Sequence, residues 1–431
     1  MKVLVVGNGG REHAIAWKLV QSDNVEVTCV PGNGGTATLP QCRNMEMTQN
    51  DFEGITRFCL VNNVKLVVVG PEAPLAEGIT DYMRGKGLKV FGPTRAGAQI
   101  ESSKAWAKAL MLEAGIPTAK SAVFDNAADA KAYVEAEGAP IVIKADGLAA
   151  GKGVTVAETV AQALTAIDAC FSGQFGDAGK QVVIEECLFG QEASVLAITD
   201  GKTIRPLVPA QDHKRIGEGD TGENTGGMGV YAPAPIVTPE LMERVQREIL
   251  EPTIATLNQR GIDYCGILYA GLMITPEGDP KVIEFNCRFG DPETQAVLPL
   301  LDMPLEKLML ACVNGELEDV DPLRWKPQVS ACVVAASGGY PGKYKKDYPI
   351  TGISDAEGWG ATVFHAGTYQ KKTGLVTDGG RVLGVTALGD TFDAAFAKAY
   401  QALGEIQFQG MYYRRDIGHQ VRSAIDLSSD P

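Results

Sequence analysis

The sequence predicts a multidomain protein of the α/β and α+β classes, with an N-terminal doubly wound parallel sheet, a larger central domain and a small C-terminal mixed α/β domain. A chain of 431 residues is too long for one hydrophobic core, and the usual size of a domain suggests about three. Near the start of the chain, short apolar runs alternate with helical spacing, which indicates a parallel sheet. We expect domains at 1–102, 103–327 and 328–425, followed by a tail at 426–431.

Composition excludes several classes of partner and of site. The formal net charge of −14 argues against nucleic acid or an anionic membrane as the main partner, so small anionic ligands must be bound by local basic groups and backbone amides. None of the nine cysteines forms a Cys-x-x-Cys pair, which argues against a zinc site or a disulfide framework. No apolar run approaches the length of a membrane span and no signal peptide follows Met1, so we expect a cytoplasmic protein.

The first segment carries the alternation that predicts the parallel sheet. A strand from Lys2 runs into the glycine turn Gly7–Gly10, and a helix follows from Arg11 to Val20. The pattern recurs in three strands and two helices: Val25–Val30, Lys65–Val69 and Leu88–Phe91, and Asp51–Val61 and Leu75–Lys86. Ligands of such sheets bind at the carboxyl ends of the strands.

Two glycine loops at those carboxyl ends admit two interpretations. A dinucleotide fingerprint would need glycine where Glu12 stands, and an acidic residue at the end of the second strand, which instead ends in Pro31–Thr36. We favour a site for one phosphate, bound by backbone amides at a helix N-terminus. Its candidate residues are Asn8, Gly9, Gly10, Gly35 and Thr36.

Glu72 follows the third strand at the same edge of the sheet. It would accept a hydrogen bond from a sugar hydroxyl or an amine, or it is a helix-start carboxylate favoured by the helix dipole. The sequence leaves both interpretations open.

Two lysines of the central segment are candidates for binding phosphate. Ser102 is expected to cap a helix, and Lys104 in its first turn opposes the helix dipole, which hints at an anionic ligand. Lys144 ends an apolar strand, where burial without a partner is costly, and faces a glycine flap that carries Gly151 and Lys152. The flap is not a P-loop, because the first glycine of that motif would fall on Asp146.

A hinge follows the flap. An apolar strand from Gln181 ends in the adjacent glutamates Glu185 and Glu186, and the backbone around Leu188 would offer donors and acceptors to an adenine edge. Glu192 is placed to reach a ribose. The alternative for the two adjacent glutamates is a solvated surface.

The segment from Asp212 to Pro233 is predicted to be a lid or a binding loop. It contains six glycines, and long loops inside compact domains usually carry function, with a disordered surface loop as the alternative. Asp212 and Lys214 supply opposite charges at its base, suited to an amine and to a carboxylate or phosphate. We assign no catalytic role to His213.

A late strand within Lys281–Gln295 supplies the candidate metal ligands. Three apolar residues indicate that it is buried: Val282, Ile283 and Phe285. Alternation of side chains places Glu284, Asn286 and Arg288 on the opposite face. A carboxylate and an amide oxygen suit Mg²⁺, which takes its remaining ligands from water and substrate phosphates, and Arg288 could hold a planar anion or a phosphoryl group.

The remaining pattern completes the central and C-terminal domains. Predicted elements are helices Pro239–Arg260 and Leu300–Gly315 and the strand Tyr264–Ile274, which turns at Thr275 into the late strand. The C-terminal domain is expected to contain strands Val329–Ala336 and Thr362–Gly367, a hairpin around Asp378–Gly380, the helix Phe392–Ile406 and a strand-like Tyr412-Tyr413. We expect its Lys and Arg residues to be solvated, and a polar tail of low order from Ser423 to Pro431.

These motifs resemble a known superfamily. Lys144, the glycine flap, the Glu185–Glu192 hinge and the Glu284-x-Asn286 pair, in this order, are similar to an ATP-grasp domain. Three further motifs resemble the glycinamide ribonucleotide synthetase family within it: Gly7–His13, Gly222–Gly229 and Arg288–Gln295. The likeness covers nearly the whole chain. It implies an ATP-grasp domain at 103–327 with a flap subdomain at about 121–189.

The resemblance also implies a reaction. ATP phosphorylates the carboxylate of glycine, and the amine of 5-phosphoribosylamine attacks the glycyl phosphate, giving glycinamide ribonucleotide, ADP and phosphate in purine synthesis. The implied cofactors are ATP and Mg²⁺ or Mn²⁺, and we expect a monomer that acts on small molecules. Phosphoryl transfer depends on positioning and charge neutralisation more than on a covalent group, so the flap and lid would also exclude water from the acyl phosphate.

The implied roles fall on the residues already singled out. Lys104 and Lys144 would hold ATP phosphates, and the nucleoside would be framed by Glu185, Glu186, Leu188 and Glu192. Glu284 and Asn286 would bind the metal. Catalytic positions would be Arg288, Lys144, Asp212 and Lys214, and the substrates would also meet the two glycine loops and Glu72.

One feature departs from the wider superfamily, in which the strand before the metal strand usually supplies a second acidic ligand. Here Tyr269–Ile274 offers none, so we expect the metal to depend more tightly on the nucleotide phosphates. Three alternatives remain: another ATP-grasp carboxylate–amine ligase, a dinucleotide-dependent oxidoreductase and a nucleotide sensor without turnover.

Overall fold

A computed structural model gives the structure of residues 1–148 and 153–422. Two predicted features lie outside the described residues: Gly151 and Lys152 of the flap, and the tail from Ser423. Within the described ranges, every helix is too short or too polar to cross a membrane.

The N-terminal sheet is parallel and doubly wound, as predicted. Its elements in chain order are β1 (Lys2–Gly7), α1 (Gly10–Leu19), β2 (Glu26–Pro31), β3 (Cys42–Asn44), α2 (Phe52–Val61), β4 (Leu66–Val69), α3 (Glu72–Glu77), α4 (Ile79–Arg84) and β5 (Val90–Phe91). The strand order is β3-β2-β1-β4-β5. Leu4 and Val6 of β1 enter one core while Val3 and Val5 enter another, so both faces of the sheet are buried.

Two predicted helix boundaries are corrected. The helix expected over Leu75–Lys86 is α3 and α4, which meet at Gly78 in the left-handed conformation, with a φ of 94°. Ser102 does not cap the next helix but ends α5 (Arg95–Ser102). The cap of α6 (Lys104–Glu113) is Ser103, whose side chain accepts a hydrogen bond from the backbone N–H of Trp106.

The flap region forms a subdomain with its own core. Its elements are β6 (Ser121–Phe124), α7 (Ala127–Glu137), β7 (Ile141–Ala145), β8 (Val154–Ala157), α8 (Val160–Ala169) and β9 (Val182–Glu186). The sheet runs β6-β9-β7-β8 with antiparallel neighbours. Ile143, Ile167 and Ile184 pack together between this sheet and its helices.

A second antiparallel sheet forms the body of the central domain. The elements are β10 (Gln191–Thr199), β11 (Ile204–Pro206), β12 (Gln211–Asp212), β13 (Arg215–Gly217), β14 (Thr221–Asn224), β15 (Gly229–Ala232), α9 (Pro239–Val245), α10 (Glu251–Gln259), β16 (Gly266–Ile274) and β17 (Pro280–Asn286). The sheet order is β11-β10-β16-β17. The long helix predicted from Pro239 consists of α9 and α10 joined by a π-helical turn, Gln246–Leu250.

A bulge in β17 corrects the predicted faces of the late strand. Gly271 pairs with Glu284 while the next residue of β16, Leu272, pairs with Val282, so Ile283 is the extra residue. Val282 and Phe285 therefore enter the same core, and Glu284 turns towards the opposite side. Ile283 is half-buried and was wrongly expected to belong to the buried face.

The C-terminal part completes the chain. Its elements are α11 (Glu293–Val297), α12 (Leu305–Asn314), β18 (Val329–Ala336), α13 (Ile353–Gly358), β19 (Thr362–His365), β20 (Thr368–Lys371), β21 (Gly374–Thr377), β22 (Arg381–Gly389) and α14 (Phe392–Glu405). The predicted hairpin around Asp378–Gly380 is wrong, because β21 pairs with β20 while β22 pairs with β18 and β19.

The C-terminal sheet includes part of the predicted lid. Its order is β12-β15-β18-β22-β19, and β15 pairs directly with β18, so the sheet crosses the boundary expected at 327–328. The tip of the lid is the two-stranded hairpin β13–β14, which excludes the alternative of a disordered surface loop. The turn of this hairpin is tied to the C-terminal segment, where Asp416 accepts a hydrogen bond from Gly219 N at 2.8 Å.

Candidate active site

A cavity of about 720 Å³ lies where all three parts of the chain meet. It is lined by twelve of the predicted site residues: Glu72, Lys104, Lys144, Glu185, Glu186, Leu188, Glu192, Asp212, Lys214, Glu284, Asn286 and Arg288. Its size is in the range of small-molecule sites. The five residues of the two glycine loops do not line it.

One side of the site is a lysine cluster, which we define as Lys104, Lys108 and Lys144 with Glu185. The Glu185 carboxylate lies 3.2 Å from Lys108 Nζ and 2.9 Å from Lys144 Nζ, and all three side chains are buried. Lys104 Nζ donates a hydrogen bond to Gly147 O at 2.8 Å, and burial lowers the pKa of Lys104 and of Lys108. Two of the ammonium groups thus share one carboxylate while that of Lys104 binds a backbone carbonyl, so the cluster has an excess of positive charge for an anionic ligand.

The cluster changes two predictions from the sequence. Lys144 is not buried without a partner, because Glu185 pairs with it and Ile283 O accepts a hydrogen bond from its Nζ at 3.1 Å. Glu185 is neither solvated nor free to contact a nucleoside, since both of its oxygens face lysines. Lys108 was missed, although it stands one helical turn after Lys104 in α6.

The hinge residues line the cavity but differ in exposure. Glu186 is exposed and accepts a hydrogen bond from Lys120 N at 2.9 Å, whereas Leu188 is half-buried. Glu192 Oε2 lies 3.0 Å from Lys214 Nζ. The backbone from Cys187 to Gly190 joins the flap subdomain to β10, so it forms a connection between two separately packed bodies.

Glu284 and Asn286 place a carboxylate and an amide oxygen beside the lysine cluster. Burial opposes the charge on Glu284, but Lys214, Lys144 and Lys104 outweigh it and lower the pKa of that carboxyl. Lys214 Nζ lies 3.8 Å from Glu284 Oε1. Across the residues whose structure is described, no cluster of three or more His, Cys, Asp or Glu side chains is arranged to hold a metal. The donor set therefore fits a hard cation only if the ion draws further ligands from a substrate.

The other side of the site is an arginine cluster, which we define as Arg11, Arg288 and Arg381 with Glu72, Glu101 and Asp291. Arg288 donates a hydrogen bond to Glu101 at 2.7 Å and one to Asn286 Oδ1 at 3.2 Å. Its Nε lies 3.4 Å from Glu72 without the geometry of a hydrogen bond. Arg288 is thus neutralised by two carboxylates.

The acids of this cluster respond differently to their surroundings. Burial raises the pKa of Glu101, which also accepts a hydrogen bond from Cys287 N at 2.8 Å. Burial opposes the charge on Glu72 too, but Arg288 and Arg11 outweigh it and lower the pKa of Glu72. With Glu12, which forms an ion pair with Arg11, three guanidinium groups face four carboxylates, so the arginine cluster has no excess of positive charge.

Asp212 has a carboxylate oxygen without a hydrogen-bond partner. Its Oδ1 is buried and has no hydrogen-bond partner, and burial followed by the nearby charge of Glu293 raises its pKa well above the ordinary value. Glu293 is held in place by Tyr269, whose hydroxyl donates to it at 2.6 Å, and by Ser194 at 3.2 Å. Tyr269 occupies the strand position opposite Asn286, where the sequence showed that no second acid is present.

The two glycine loops meet, but their amides are largely paired within the chain. Gly9 N donates to Glu12 at 2.6 Å, which explains why Glu12 replaces a glycine: its carboxylate occupies the turn. Asn33 accepts hydrogen bonds from Gly35 N and Thr36 N, and Thr36 is fully buried. A dinucleotide pyrophosphate would have to displace Glu12. Asn8, which is exposed, is the part of these loops most open to a ligand.

The C-terminal part contributes basic and aromatic residues that the sequence did not identify. Arg381 donates hydrogen bonds to Gly226 O at 2.7 Å and Asp291 O at 2.8 Å, and so joins the lid to the loop after β17. Tyr340 also contacts the lid, because its hydroxyl accepts a hydrogen bond from Gly226 N at 3.2 Å. Arg414 is fully buried and pairs with Asp416 at 2.8 Å. The expectation that the basic residues of this domain are solvated is wrong for both arginines.

Comparison with protein families covers nearly the whole chain. The phosphoribosylglycinamide synthetase N domain matches residues 1–101, the ATP-grasp (A) domain matches 102–294 and the C domain matches 330–420. A phosphoribosylamine–glycine ligase of Nostoc sp. is 69% identical over 425 residues, covering 98% of this chain and 100% of the relative. The corresponding protein of Ralstonia nicotianae is 53% identical and covers 98% and 99%.

Solved structures agree with these matches. The crystal structure of phosphoribosylamine–glycine ligase from Thermotoga maritima has a TM-score of 0.84 and 31% identity, covering 96% of this chain and 100% of that chain. The biotin carboxylase domain of 2-oxoglutarate carboxylase from Hydrogenobacter thermophilus, in complex with MgADP, has a TM-score of 0.72 at 16% identity, covering 95% and 91%. This second likeness is one of fold alone.

Proposed function

Because the chain belongs to the phosphoribosylglycinamide synthetase family, we propose that it joins glycine to 5-phosphoribosylamine with ATP, giving glycinamide ribonucleotide, ADP and phosphate. The observation that carries the proposal is the convergence of the lysine cluster, the Glu284 and Asn286 oxygens and the Asp212 Oδ1 atom, which has no hydrogen-bond partner, on one cavity. These are the groups needed to bind a triphosphate, hold a divalent ion and receive a proton.

The nucleotide binds on the side of the lysine cluster. Lys104 and Lys144 contact its phosphates, because their excess positive charge is not cancelled by Glu185. Glu186, Leu188 and Glu192 frame the nucleoside along the hinge, and Glu185 acts on the phosphates indirectly by positioning Lys144. Packing of the flap subdomain around its own core lets it move relative to the cavity as one body.

Glu284 and Asn286 hold the divalent ion, and we propose Mg²⁺, with Mn²⁺ as its substitute. Oxygen ligands suit both ions, and a bound ion neutralises charge on the phosphates during transfer. Since no second carboxylate among the described residues completes the site, the phosphates of the nucleotide supply further ligands. The low pKa of Glu284 keeps its oxygens available at neutral pH.

The second and third substrates bind on the side of the arginine cluster. Arg288 exchanges Glu72 or Glu101 for the glycine carboxylate and its phosphoryl group, and Lys214 stabilises the same negative charge. The sugar phosphate lies at the glycine loops, Asn8–Gly10 with Gly35 and Thr36, and Glu72 accepts a hydrogen bond from the sugar. To bind the sugar phosphate, the loops must break some of their internal hydrogen bonds.

Two steps follow from this placement. The glycine carboxylate attacks the γ-phosphorus and ADP leaves, and the amine nitrogen then attacks the glycyl carbon and expels phosphate. The attacking nitrogen must lose a proton, and Asp212 accepts it because its Oδ1 has no other partner. The β13–β14 hairpin excludes water that would hydrolyse the acyl phosphate.

The deciding experiment measures ADP release from the purified protein with glycine, phosphoribosylamine and a divalent cation, each omitted in turn. We expect turnover only with all of them present. Turnover that ignores glycine would reject the assignment, and NAD binding at the first glycine loop would favour an oxidoreductase instead. We place the enzyme in the cytoplasm as a monomer, and light scattering of the purified chain tests the second of these statements.

A further inference from the structure

Glu293, at the start of α11, is a carboxylate of the active-site cavity that the proposed reaction leaves without a role. It lines the cavity, although its side chain is only 3% exposed. Among the residues that the structure describes, it forms no ion pair, whereas the other acidic residues of the cavity, apart from Asp212, each pair with a lysine or an arginine. A buried charge without a partner is costly, which indicates a cation supplied by a ligand.

Two hydroxyl groups fix one oxygen of this carboxylate and leave the other open. Tyr269 on β16 donates to Glu293 Oε1 at 2.6 Å, and Ser194 on β10 donates to the same atom at 3.2 Å. Within the described residues, Oε2 accepts no hydrogen bond, yet it is not one of the polar atoms that are sealed from solvent without a partner. Oε2 is therefore a fixed acceptor that faces the cavity.

Positive charge lies on the other side of Tyr269. Burial and the charge of Glu293 raise the pKa of Tyr269, and Lys214 opposes this shift, so both charges lie close to the same side chain. Across the sheet Tyr269 pairs with Asn286, which accepts a hydrogen bond from Arg288 at 3.2 Å. The cavity therefore offers cations for a carboxylate and an anion for an ammonium group, the two charges of an α-amino acid.

We propose that Glu293 Oε2 binds the ammonium group of the amino acid substrate. Arg288 and Lys214 hold the carboxylate of the same molecule, so the zwitterion is bound through both of its charges. The inference rests on the proposed function and adds to it the group that recognises the amine. Asp212 keeps its role as proton acceptor, because Glu293 is the second acid of the cavity without an ion pair.

This contact has a chemical consequence for the proposed reaction. An ammonium nitrogen that is held by a carboxylate has no lone pair, so glycine cannot attack the acyl phosphate of another glycine. The amine of phosphoribosylamine is then the nucleophile that remains in the cavity. Glu293 would thus contribute both to affinity for glycine and to the choice of the attacking nitrogen.

Gly290 leaves the space that the carboxylate occupies. A Cβ atom at this position would collide with Glu293 Oε2 and would lie 3.0 Å from Tyr269 Cε1. Gly290→Ala therefore keeps the charge of Glu293 but displaces it. This variant separates the position of the carboxylate from its charge.

The experiment measures the KM for glycine and the inhibition constant of glycolate, which carries a hydroxyl group where glycine carries its ammonium group. In the wild-type enzyme, the inhibition constant of glycolate should exceed the KM for glycine about tenfold to hundredfold, as for a charge-assisted hydrogen bond. Glu293→Gln should raise the KM for glycine by a similar factor and leave the constant for glycolate and the KM for ATP nearly unchanged. The preference for glycine over glycolate should therefore be lost.

Further variants separate binding from a purely structural role. Gly290→Ala and Tyr269→Phe, which displace or release the carboxylate, should each reduce the preference for glycine severalfold. Glu306→Gln is the matched control, because Glu306 is a buried carboxylate outside the cavity that accepts a hydrogen bond from Ser22 at 3.0 Å. It should leave the preference for glycine unchanged.

The outcomes distinguish this inference from the proposed function. ADP release that does not depend on glycine in the wild-type enzyme would reject the proposed function and the inference with it. If the wild-type enzyme requires glycine but Glu293→Gln retains the preference over glycolate, only the inference is overturned, even where kcat and Tm fall. Should Glu293→Gln fail to fold, an unchanged preference in Gly290→Ala would overturn the inference in the same way.

Discussion

The lysine cluster and the arginine cluster face the same cavity but balance their charges differently. In the lysine cluster Glu185 pairs with two of the three cations, whereas in the arginine cluster each guanidinium forms an ion pair with a carboxylate. The first is therefore ready to take a highly charged anion, and the second binds a ligand by exchanging internal partners for external ones. This difference suits a nucleotide triphosphate on one side and a small zwitterion with a sugar phosphate on the other.

The largest effect is expected from a substitution that removes the carboxylate between the two clusters. Glu284→Gln should reduce ADP release about a hundredfold or more, because a divalent ion loses its charged ligand and with it several kcal/mol of charge stabilisation. Steady-state kinetics across a range of Mg²⁺ concentrations measures the loss. The exposed Glu243→Gln is the matched control, and unchanged activity in Glu284→Gln would remove this residue from the metal site.

Asp212→Asn tests the proton acceptor and should lower kcat about a hundredfold, the usual contribution of general acid–base catalysis. Since the deprotonated form is the acceptor and its pKa is raised, wild-type kcat should fall as the pH is lowered through that pKa, and the variant should lack this limb. The pH profile of kcat makes the measurement, with exposed Asp23→Asn as control. If the kcat of the variant still fell at low pH, the titrating group would be a residue other than Asp212.

The same substitution has a consequence for stability. A carboxyl whose pKa is raised in the folded state favours its protonated form, so its stabilising contribution is present below the unfolded pKa and is lost as the pH rises through the folded value. Above the folded-state pKa, the buried Asp212 carboxylate is ionised and destabilises the folded state. Asp212→Asn removes this charge, so it should raise the Tm at such pH values. The increase in Tm should become smaller as the pH is lowered. A lower Tm at every pH would contradict the assigned ionisation.

Lys144→Met sharpens the comparison within the lysine cluster. We expect the affinity for ATP to fall about tenfold or more, as for the loss of a charge-assisted hydrogen bond, measured by isothermal titration. Lys108→Met also breaks a pair with Glu185, but Lys108 is held by Thr118 and Ala119 O, so its loss should reduce stability more than affinity. Exposed Lys120→Met is the control. Equal losses of affinity in both variants would show that the cluster acts only through its summed charge.

The smallest expected effect concerns the arginine contributed by the C-terminal domain. Arg381→Lys keeps the charge but loses the guanidinium Nη1 that joins Gly226 O and Asp291 O, so we expect about a threefold to tenfold rise in KM for the non-nucleotide substrates. Arg57→Lys, at an exposed pair with Glu53, provides the control. A KM change for ATP of the same size would place Arg381 on the nucleotide side.

The two clusters also differ in how far the sequence predicts them. Lys104, Lys144 and Glu284 stand in local motifs of one domain, and even Lys108 could have been found from its helical spacing to Lys104. Glu101 and Arg381 could not, because they reach the cavity only through the docking of α5 and of the C-terminal sheet. Strand and helix order was predicted well where apolar alternation is strong.

Errors arose where tertiary pairing overrides local pattern. The bulge at Ile283 depends on the register of β17 against β16, and the false hairpin around Asp378–Gly380 depends on which sheet each strand joins. Burial of Glu185 against two lysines likewise has no local signature. The sequence singled out residues that line one cavity, but it did not predict the ion pairs among them.

The pairing of β15 with β18 limits how this protein can be divided. A catalytic fragment ending near residue 327 would leave a sheet edge without its neighbour, and a separately expressed C-terminal fragment would lack two of its strands. Any recombination that exchanges the last part of the chain between relatives must therefore carry residues 211–232 with it, although β18 begins 97 residues after the end of β15.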